Sequence, residues 1–530
     1  MANPSLPIRR AVRACRLACL VAVAVGPLTP ILAGAQVVQA GEPRVAQLLA
    51  AADDAFRAGR LDEAFARYEA VLRSDSTSAR AVFRVATMLA WRNDLRKSES
   101  MFRLYLRLAP GDDDGRIGLA RTLAWAGRYE QSVALCDSML TANPRQRDAA
   151  LLAAQARAWS GKLRVAINRY RNWLSSHPND AEAWMALAQT WQWADRPDEA
   201  RNALDHALAV DPGNAKARTQ LDWVNVARVP SVEPAISSSD DSDDNRSTTY
   251  MVRTGWRAPW QARIVADGSY RVADLGARHG TAASLRAASS FTPLYSQWTV
   301  RGELGATRLE GSDGPGTPAV THVEPLASVR LSGRIAGRLS LGAGASRAAF
   351  DETAPLIQSG IATTSVDGDG DLNITRTVTL GGGGGWTRLS GGSGSNSRVA
   401  GLGALRWSAR PFVSFAIGMR GFSYDHAAFD GYFAPKRYLL AEGSSRLRLG
   451  GELGWGLESE LGLGNQTITA FDDSHISRFA QRANASVLYR PAPGAEWSLS
   501  GGFANVASPA TISSADYRYY TVAIKGRVRL

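Results

Sequence analysis

The hydrophobic period of this 530-residue chain changes once. Up to about residue 228, apolar side chains recur with the 3.6-residue spacing of an α-helix. From Ser247 to Leu530 they alternate with the period of 2 that belongs to half-exposed strands. No single packed domain reconciles the two periods, so the chain reads as two architectures in series. Averaging hides this. The mean hydropathy is -0.18, and after residue 40 no apolar run reaches the roughly 20 residues of a membrane-spanning helix. A multi-helix membrane protein is therefore excluded, but a membrane β-barrel is not, because alternation conceals the lipid-facing half of each strand.

Residues 1–40 read as a secretory signal peptide. Arg9, Arg10, Arg13 and Arg16 precede an apolar stretch from Leu17 to about Leu32, and small-residue exits follow at Ala33-Gly34-Ala35 and Val38-Gln39-Ala40. A membrane anchor is the alternative, which the short stretch with Pro27 and Pro30 disfavours. Removal of Cys15 and Cys19 with the leader leaves Cys136 alone, so an internal disulfide is not expected. Export also argues against nucleic acid as the partner of the net charge of +12.

Pro110, Pro144, Pro178 and Pro212 are 34 residues apart without a slip. Aligned on them, units 45–78, 79–112, 113–146, 147–180 and 181–214 share a small eighth residue (Ala52, Ala86, Ala120, Ala154, Ala188). The fifteenth is a turn former (Gly59, Asn93, Gly127, Gly161, Asp195), and the twentieth is small (Ala64, Ser98, Ser132, Ala166, Ala200). Position 24 is filled by Tyr68, Phe102, Cys136, Tyr170 and Leu204. This resembles the tetratricopeptide repeat, antiparallel helix pairs that stack into a superhelix. The repeat domain is expected over 41–228, with 215–227 as its terminal capping helix.

Trp91, Trp125, Trp159 and Trp193 recur at position 13, where the first helix of each pair ends. They either pack neighbouring repeats or form an aromatic ladder for sugar rings, with Arg121, Gln155 and Gln189 at position 9 as polar partners in the groove.

Residues 229–246 (with Asp240-Asp241 and Asp243-Asp244) read as an acidic flexible linker. Beyond it, alternating runs predict an outer-membrane β-barrel over 247–530. Tyr520, Val522, Ile524, Gly526, Val528 and Leu530 share one face of the last run, while Thr521, Ala523, Lys525, Arg527 and Arg529 share the other. The runs number about fourteen strands, or sixteen if 353–367 contributes two short ones. Trp256, Trp260, Tyr295, Trp298, Trp386, Trp407 and Trp497 are candidates for interfacial girdles. The fold class is thus α+β, a helical repeat superhelix followed by an antiparallel transmembrane barrel.

Within 247–530 there are 29 basic residues, 27 of them Arg, against 21 acidic, a net +8. Arg263, Arg271, Arg286, Arg406, Arg420, Arg446, Arg448, Arg482, Arg527 and Arg529 fall on the polar face and are expected to line a pore. They either bind polar cargo or brace the wall by pairing with Glu303, Glu452, Glu458 and Glu460. No catalytic signal and no cofactor site emerges. Asp367, Asp369 and Asp371 alternate as in a calcium loop, but Leu372 stands where Gly is required, so the segment reads as a loop turn. The six His have no metal spacing.

Signal peptide, repeats and barrel, in that order, resemble the bacterial exopolysaccharide secretins, the cellulose synthase operon protein C family and the shorter YaiO-type barrels. Gly431-Tyr432-Phe433-Ala434-Pro435-Lys436-Arg437-Tyr438 is similar to a stretch of that family's C-terminal domain, and 351–360 (DETAPLIQSG) more faintly to another. The resemblance implies that Gly431, Tyr432, Phe433, Pro435 and Tyr438 belong to a loop-to-strand element that shapes the pore. It implies a non-enzymatic outer-membrane export channel, with the repeats in the periplasm and outer-membrane lipid around the barrel. A polysaccharide chain is its cargo, and the repeats guide it or dock periplasmic or inner-membrane synthase components. Five repeats are fewer than the cellulose exporters carry, so the polymer stays open. The alternative is a barrel-anchored docking scaffold through which no polymer passes.

Overall fold

The computed structural model describes residues 41–258, 262–293, 297–335, 338–392, 394–507 and 517–530. The expected leader over 1–40, together with Trp260 and Tyr295, lies outside the described residues. The chain divides into two compact units, one up to Met88 and one from Leu89.

The first unit holds α1 (Gly41–Arg57), α2 (Leu61–Ser74) and most of α3 (Ala79–Trp91). Its centre is Tyr68, fully buried, whose hydroxyl donates to the Asp53 carboxylate at 2.5 Å.

The second unit continues with α4 (Leu95–Leu108), α5 (Asp113–Trp125), α6 (Tyr129–Ala142), α7 (Arg147–Trp159), α8 (Leu163–Ser176), α9 (Ala181–Trp193), α10 (Pro197–Val210) and α11 (Ala215–Arg228). The repeat positions behave as the alignment requires. The residues at positions 8, 20 and 24 in all five units are at most 2% exposed. Position 15 is left-handed throughout, with φ of 73° at Gly59, 64° at Asn93, 76° at Gly127, 77° at Gly161 and 56° at Asp195. Only Gly, Asn or Asp take that backbone cheaply. Each turn ends its helix with a six-residue bond, as where Arg128 N–H donates to Leu123 O at 2.9 Å. Two residues beyond each of the four spaced prolines, a side chain caps the next helix: Asp112 accepts from Asp114 N–H, Gln146 from Ala149 N–H, Asp180 from Ala183 N–H and Asn214 from Ala217 N–H.

Sixteen antiparallel strands then close into a barrel. They are β1 (Ser231–Asp241), β2 (Asn245–Arg257), β3 (Arg263–Leu275), β4 (Arg278–Phe291), β5 (Trp298–Ser312), β6 (Val320–Ile335), β7 (Leu339–Ala349), β8 (Ala362–Asn373), β9 (Val378–Gly391), β10 (Gly394–Arg410), β11 (Val413–Tyr424), β12 (Arg437–Gly450), β13 (Gly454–Thr469), β14 (His475–Ala492), β15 (Ala495–Ala504) and β16 (Tyr519–Arg529). A short helix, α12 (Ala354–Ser359), precedes β8.

Two expectations are corrected. The stretch 229–246 is not a flexible linker. Most of it is β1, which seals the barrel by pairing with β16 from Ser231↔Arg529 to Asp241↔Tyr519. Pro234 and the serines disguised its alternation, and Glu233 turns inward to an ion pair with Arg527 at 2.8 Å. Likewise Asp367, Asp369 and Asp371 lie not in a loop turn but on β8, and 353–367 yields one helix and the start of this one strand. Arg330 pairs with both Asp367 and Asp369, and Arg406 with Asp371 at 3.0 Å, so the acids are a satisfied inner face.

The outer face carries an exposed apolar band, including Leu285, Leu304, Ile417, Leu461 and Ile524. Exposed Trp256, Trp407, Trp455 and Trp497 ring the end next to the helices, and Tyr250, Tyr270, Trp386, Phe479 and Tyr520 stand nearer the other. No helix among the described residues is long and apolar enough to cross a membrane.

Candidate functional site: the lumen and its two mouths

At the repeat-side mouth the position-15 turns meet the barrel hairpins one by one. Arg376, in the β8–β9 turn, donates to Asn93 Oδ1 at 2.7 Å. Arg338, in the β6–β7 turn, reaches within 3.6 Å of where a Gly127 Cβ would stand. Gln297, in the β4–β5 turn, donates to Ser160 O at 3.2 Å and lies so close to Gly161 that any Cβ there would collide with it. Arg257, at the β2–β3 turn, pairs with Asp195 at 2.7 Å. At the end of β16, Arg529 donates to Val226 O on α11. Four successive repeats thus rest on four successive hairpins, in reverse chain order. Loss of solvent around Arg376 pulls its guanidinium below the usual arginine value.

This docking fixes where the tryptophans stand, two residues before each docked turn. Trp91 and Trp193 are 53% and 44% exposed, whereas Trp125 and Trp159 are half-buried. Trp159 packs on the Ala124, Val133 and Ala156 cluster, so at least this one serves packing between repeats. Position 9 is not uniform. Gln155 accepts from the buried Tyr170 hydroxyl at 3.2 Å, repeating the Asp53–Tyr68 pairing of positions 9 and 24. Arg121 is exposed beside the corresponding Cys136, whose thiol burial pushes up to about 12. Gln189 is half-buried.

The lumen is lined by ion pairs. Arg286 pairs with Asp267 at 2.9 Å, and Arg448 with Glu458 at 2.9 Å. Arg446 and Arg482 share Glu460, and Arg482 also holds Glu442 at 2.9 Å. Bracing therefore engages most of the arginines expected to line the pore, through Glu458 and Glu460 as considered and equally through Asp267, Glu442 and Asp371, with Asp351 holding Arg271 and Glu233 holding Arg527. Arg263, Arg420 and Arg529 make no ion pair among the described residues.

The far mouth is filled. The β7–β8 segment, containing α12, folds inward so that Ile357 packs with Ala273, Ala282 and Leu309. The β11–β12 loop meets it from the opposite wall. Tyr432 is buried with Leu356, Ile361, Leu389 and Tyr424, and its hydroxyl accepts from Asn396 at 3.0 Å. Phe433 and Tyr438 enter a second cluster with Leu440, Ile468 and Val506. Gly431 has φ of 36°, and a Cβ on it would stand 2.6 Å from Pro355. The two segments singled out by resemblance, 351–360 and 431–438, are therefore in mutual contact. Pro435 completes the turn into β12, where its carbonyl accepts from Tyr424 N–H at 3.4 Å. Arg271 ties this closure to the wall through Asp351 at 2.8 Å.

Beneath the closure lies a cavity of about 980 Å³ whose walls include Arg271, Arg398, Arg420, Arg482, Glu352 and Tyr438. Burial raises the Glu352 carboxyl above its ordinary value. Arg398 and Glu352 escaped the sequence reading. The first lies four residues inside β10, paired on both sides, and the second gains its place only from how the loop folds inward.

Residues 49–113 and 160–221 match family models described as tetratricopeptide repeat. No curated protein matches the chain. Among solved structures, "Bacterial polysaccharide outer membrane secretin" aligns at 10% identity over 57% of this chain and 99% of that one, with a TM-score of 0.44. PilW, a type IV pilus biogenesis factor, aligns at 21% identity over 35% and 86%, with a TM-score of 0.31. YrrB, a repeat protein with an unusual peptide-binding site, aligns at 18% over 34% and 97%, with a TM-score of 0.27. The chain is a tetratricopeptide array followed by a closed sixteen-stranded barrel.

Proposed function

We propose that the chain is an outer-membrane channel for export of an exopolysaccharide, with the repeats on the periplasmic side delivering polymer or synthase partners to the mouth. No catalytic step is part of this role. The observation that carries it is a closed barrel with a charged lumen, whose repeat array is fastened turn by turn to one rim. The apolar outer band, bounded by exposed aromatics, supports placement in a bilayer. The sequence resemblance to the exopolysaccharide secretins supports the cargo class. A filled far mouth fits a channel that opens for its cargo. It also favours the second reading, a barrel anchor whose repeats only dock proteins.

Planar-bilayer recording of the full chain separates the two. Export predicts low conductance for the intact protein and a several-fold rise on deletion of 351–360. Unchanged low conductance in the deletion variant, with the barrel still closed, would leave only the anchor.

A further inference from the structure

The ion pairs of the lumen leave a remainder. Arg398 on β10 and Arg420 on β11 both line the cavity beneath the closure, and neither pairs with a carboxylate among the described residues. Arg398 lies 6.0 Å from the Phe422 ring centre and 5.9 Å from that of Tyr424, beside whose hydroxyl it stands, and its Nε–H finds no acceptor among the described residues. The acids of the same cavity are engaged elsewhere. Arg330 holds Asp367 and Asp369, while Asn245 and the Asp243 amide hold Asp241. Glu352 faces the cavity without a hydrogen bond among the described residues, and its charged form is disfavoured there. At the opposite end of the lumen, Arg529 stands beside Arg263 and near the paired Arg527 and Arg257, whose partners are Glu233 and Asp195. Arginines without an ion pair among the described residues thus stand at both ends of the path, Arg398 and Arg420 at one and Arg263 and Arg529 at the other.

We infer that the exported polymer is an anionic glycan, bearing carboxylate or sulfate groups, and that Arg398 and Arg420 receive those groups beneath the far-mouth closure. This rests on the export reading. A guanidinium fork matches a carboxylate or sulfate in geometry and charge. Inside the barrel, away from bulk solvent, the attraction is screened less than at a free surface. A neutral glycan would leave both guanidinium groups without a carboxylate or sulfate partner, and a cationic one would meet them as like charges.

The test is calorimetric titration of the detergent-solubilised full chain, and of its 351–360 deletion, with four oligosaccharides of equal length. These are an oligogalacturonate, a sulfated glucan, a neutral cello-oligosaccharide and a cationic glucosamine oligomer. Binding of one or both anionic chains is expected, weakening with salt and falling about tenfold or more in Arg398→Gln/Arg420→Gln. Arg308→Gln, which removes a charge from the outer face shared with Leu304, should leave it unchanged. Mobility in unheated detergent gels reports barrel closure; if the double variant fails to close, Arg420→Gln alone serves. Equal or tighter binding of the neutral or cationic chain, or undiminished anion binding by the variant, overturns the anionic assignment and leaves export standing. No binding of any of the four, even to the deletion variant, overturns both.

Discussion

At the residue scale, the helical part was legible because each repeat position has one job. A 34-residue proline spacing located the turns, and the left-handed backbone at position 15 explains why only Gly, Asn and Asp occupy it. Gln155 is the exception at position 9, since sequence spacing places it on a helix face but not against the Tyr170 hydroxyl that absorbs it. Close packing gives the sharpest prediction. A Cβ on Gly118 would stand 2.3 Å from the Phe102 ring, so Gly118→Ala should destabilise the repeats by about 1–3 kcal/mol, read in the thermal loss of helical dichroism. Charge gives another. Hydrogen bonds from Arg128, then from Arg103, hold the Glu99 carboxyl below its usual range despite partial burial. A depressed carboxyl stabilises the fold above its unfolded pKa of about 4.3 and loses that contribution as the pH falls through the folded value. Stability of the helical part should therefore drop on acidification below about pH 4.3, and the drop should be smaller in Glu99→Gln.

At the scale of elements, fourteen of the sixteen strands showed themselves by alternation. The two that did not are instructive. β1 carries Pro234, which cannot donate to a ladder, followed by serines and acids whose outward members look like linker. β8 alternates aspartate with glycine, and its logic appears only when Arg330 and Arg406 arrive from other strands. The docking of turns on hairpins was invisible in sequence for the same reason, because Arg376 and Asn93 are 283 residues apart. Removing two of its fasteners, Arg257→Ala with Arg376→Ala, should speed amide hydrogen exchange at residues 91–94 and 193–196. Strand amides should keep their protection. Equal exchange in parent and variant would mean that these contacts do not hold the array.

At the scale of the whole molecule, the far mouth depends on two loops meeting at Gly431 and Pro355. Gly431→Val forces a side chain into that contact at a positive φ, so it should loosen the closure without touching the wall. The expected reading is more frequent open-state current in bilayers, in the same direction as the 351–360 deletion and smaller in size.

The pairing of repeats with hairpins has a consequence for how such a chain can change length. Neighbouring strands are about 4.8 Å apart, so alternate hairpins recur at roughly twice that spacing, close to the 8–10 Å between packed helices. The two lattices are commensurate, like a rack laid against a gear. Gain or loss of one whole 34-residue unit shifts the array by a single tooth and leaves every remaining turn opposite a hairpin. An insertion of a few residues inside a unit has no such register to fall into. Lineages of this protein should therefore differ by entire repeats, and beyond a certain number added units must leave the rim and extend away from it.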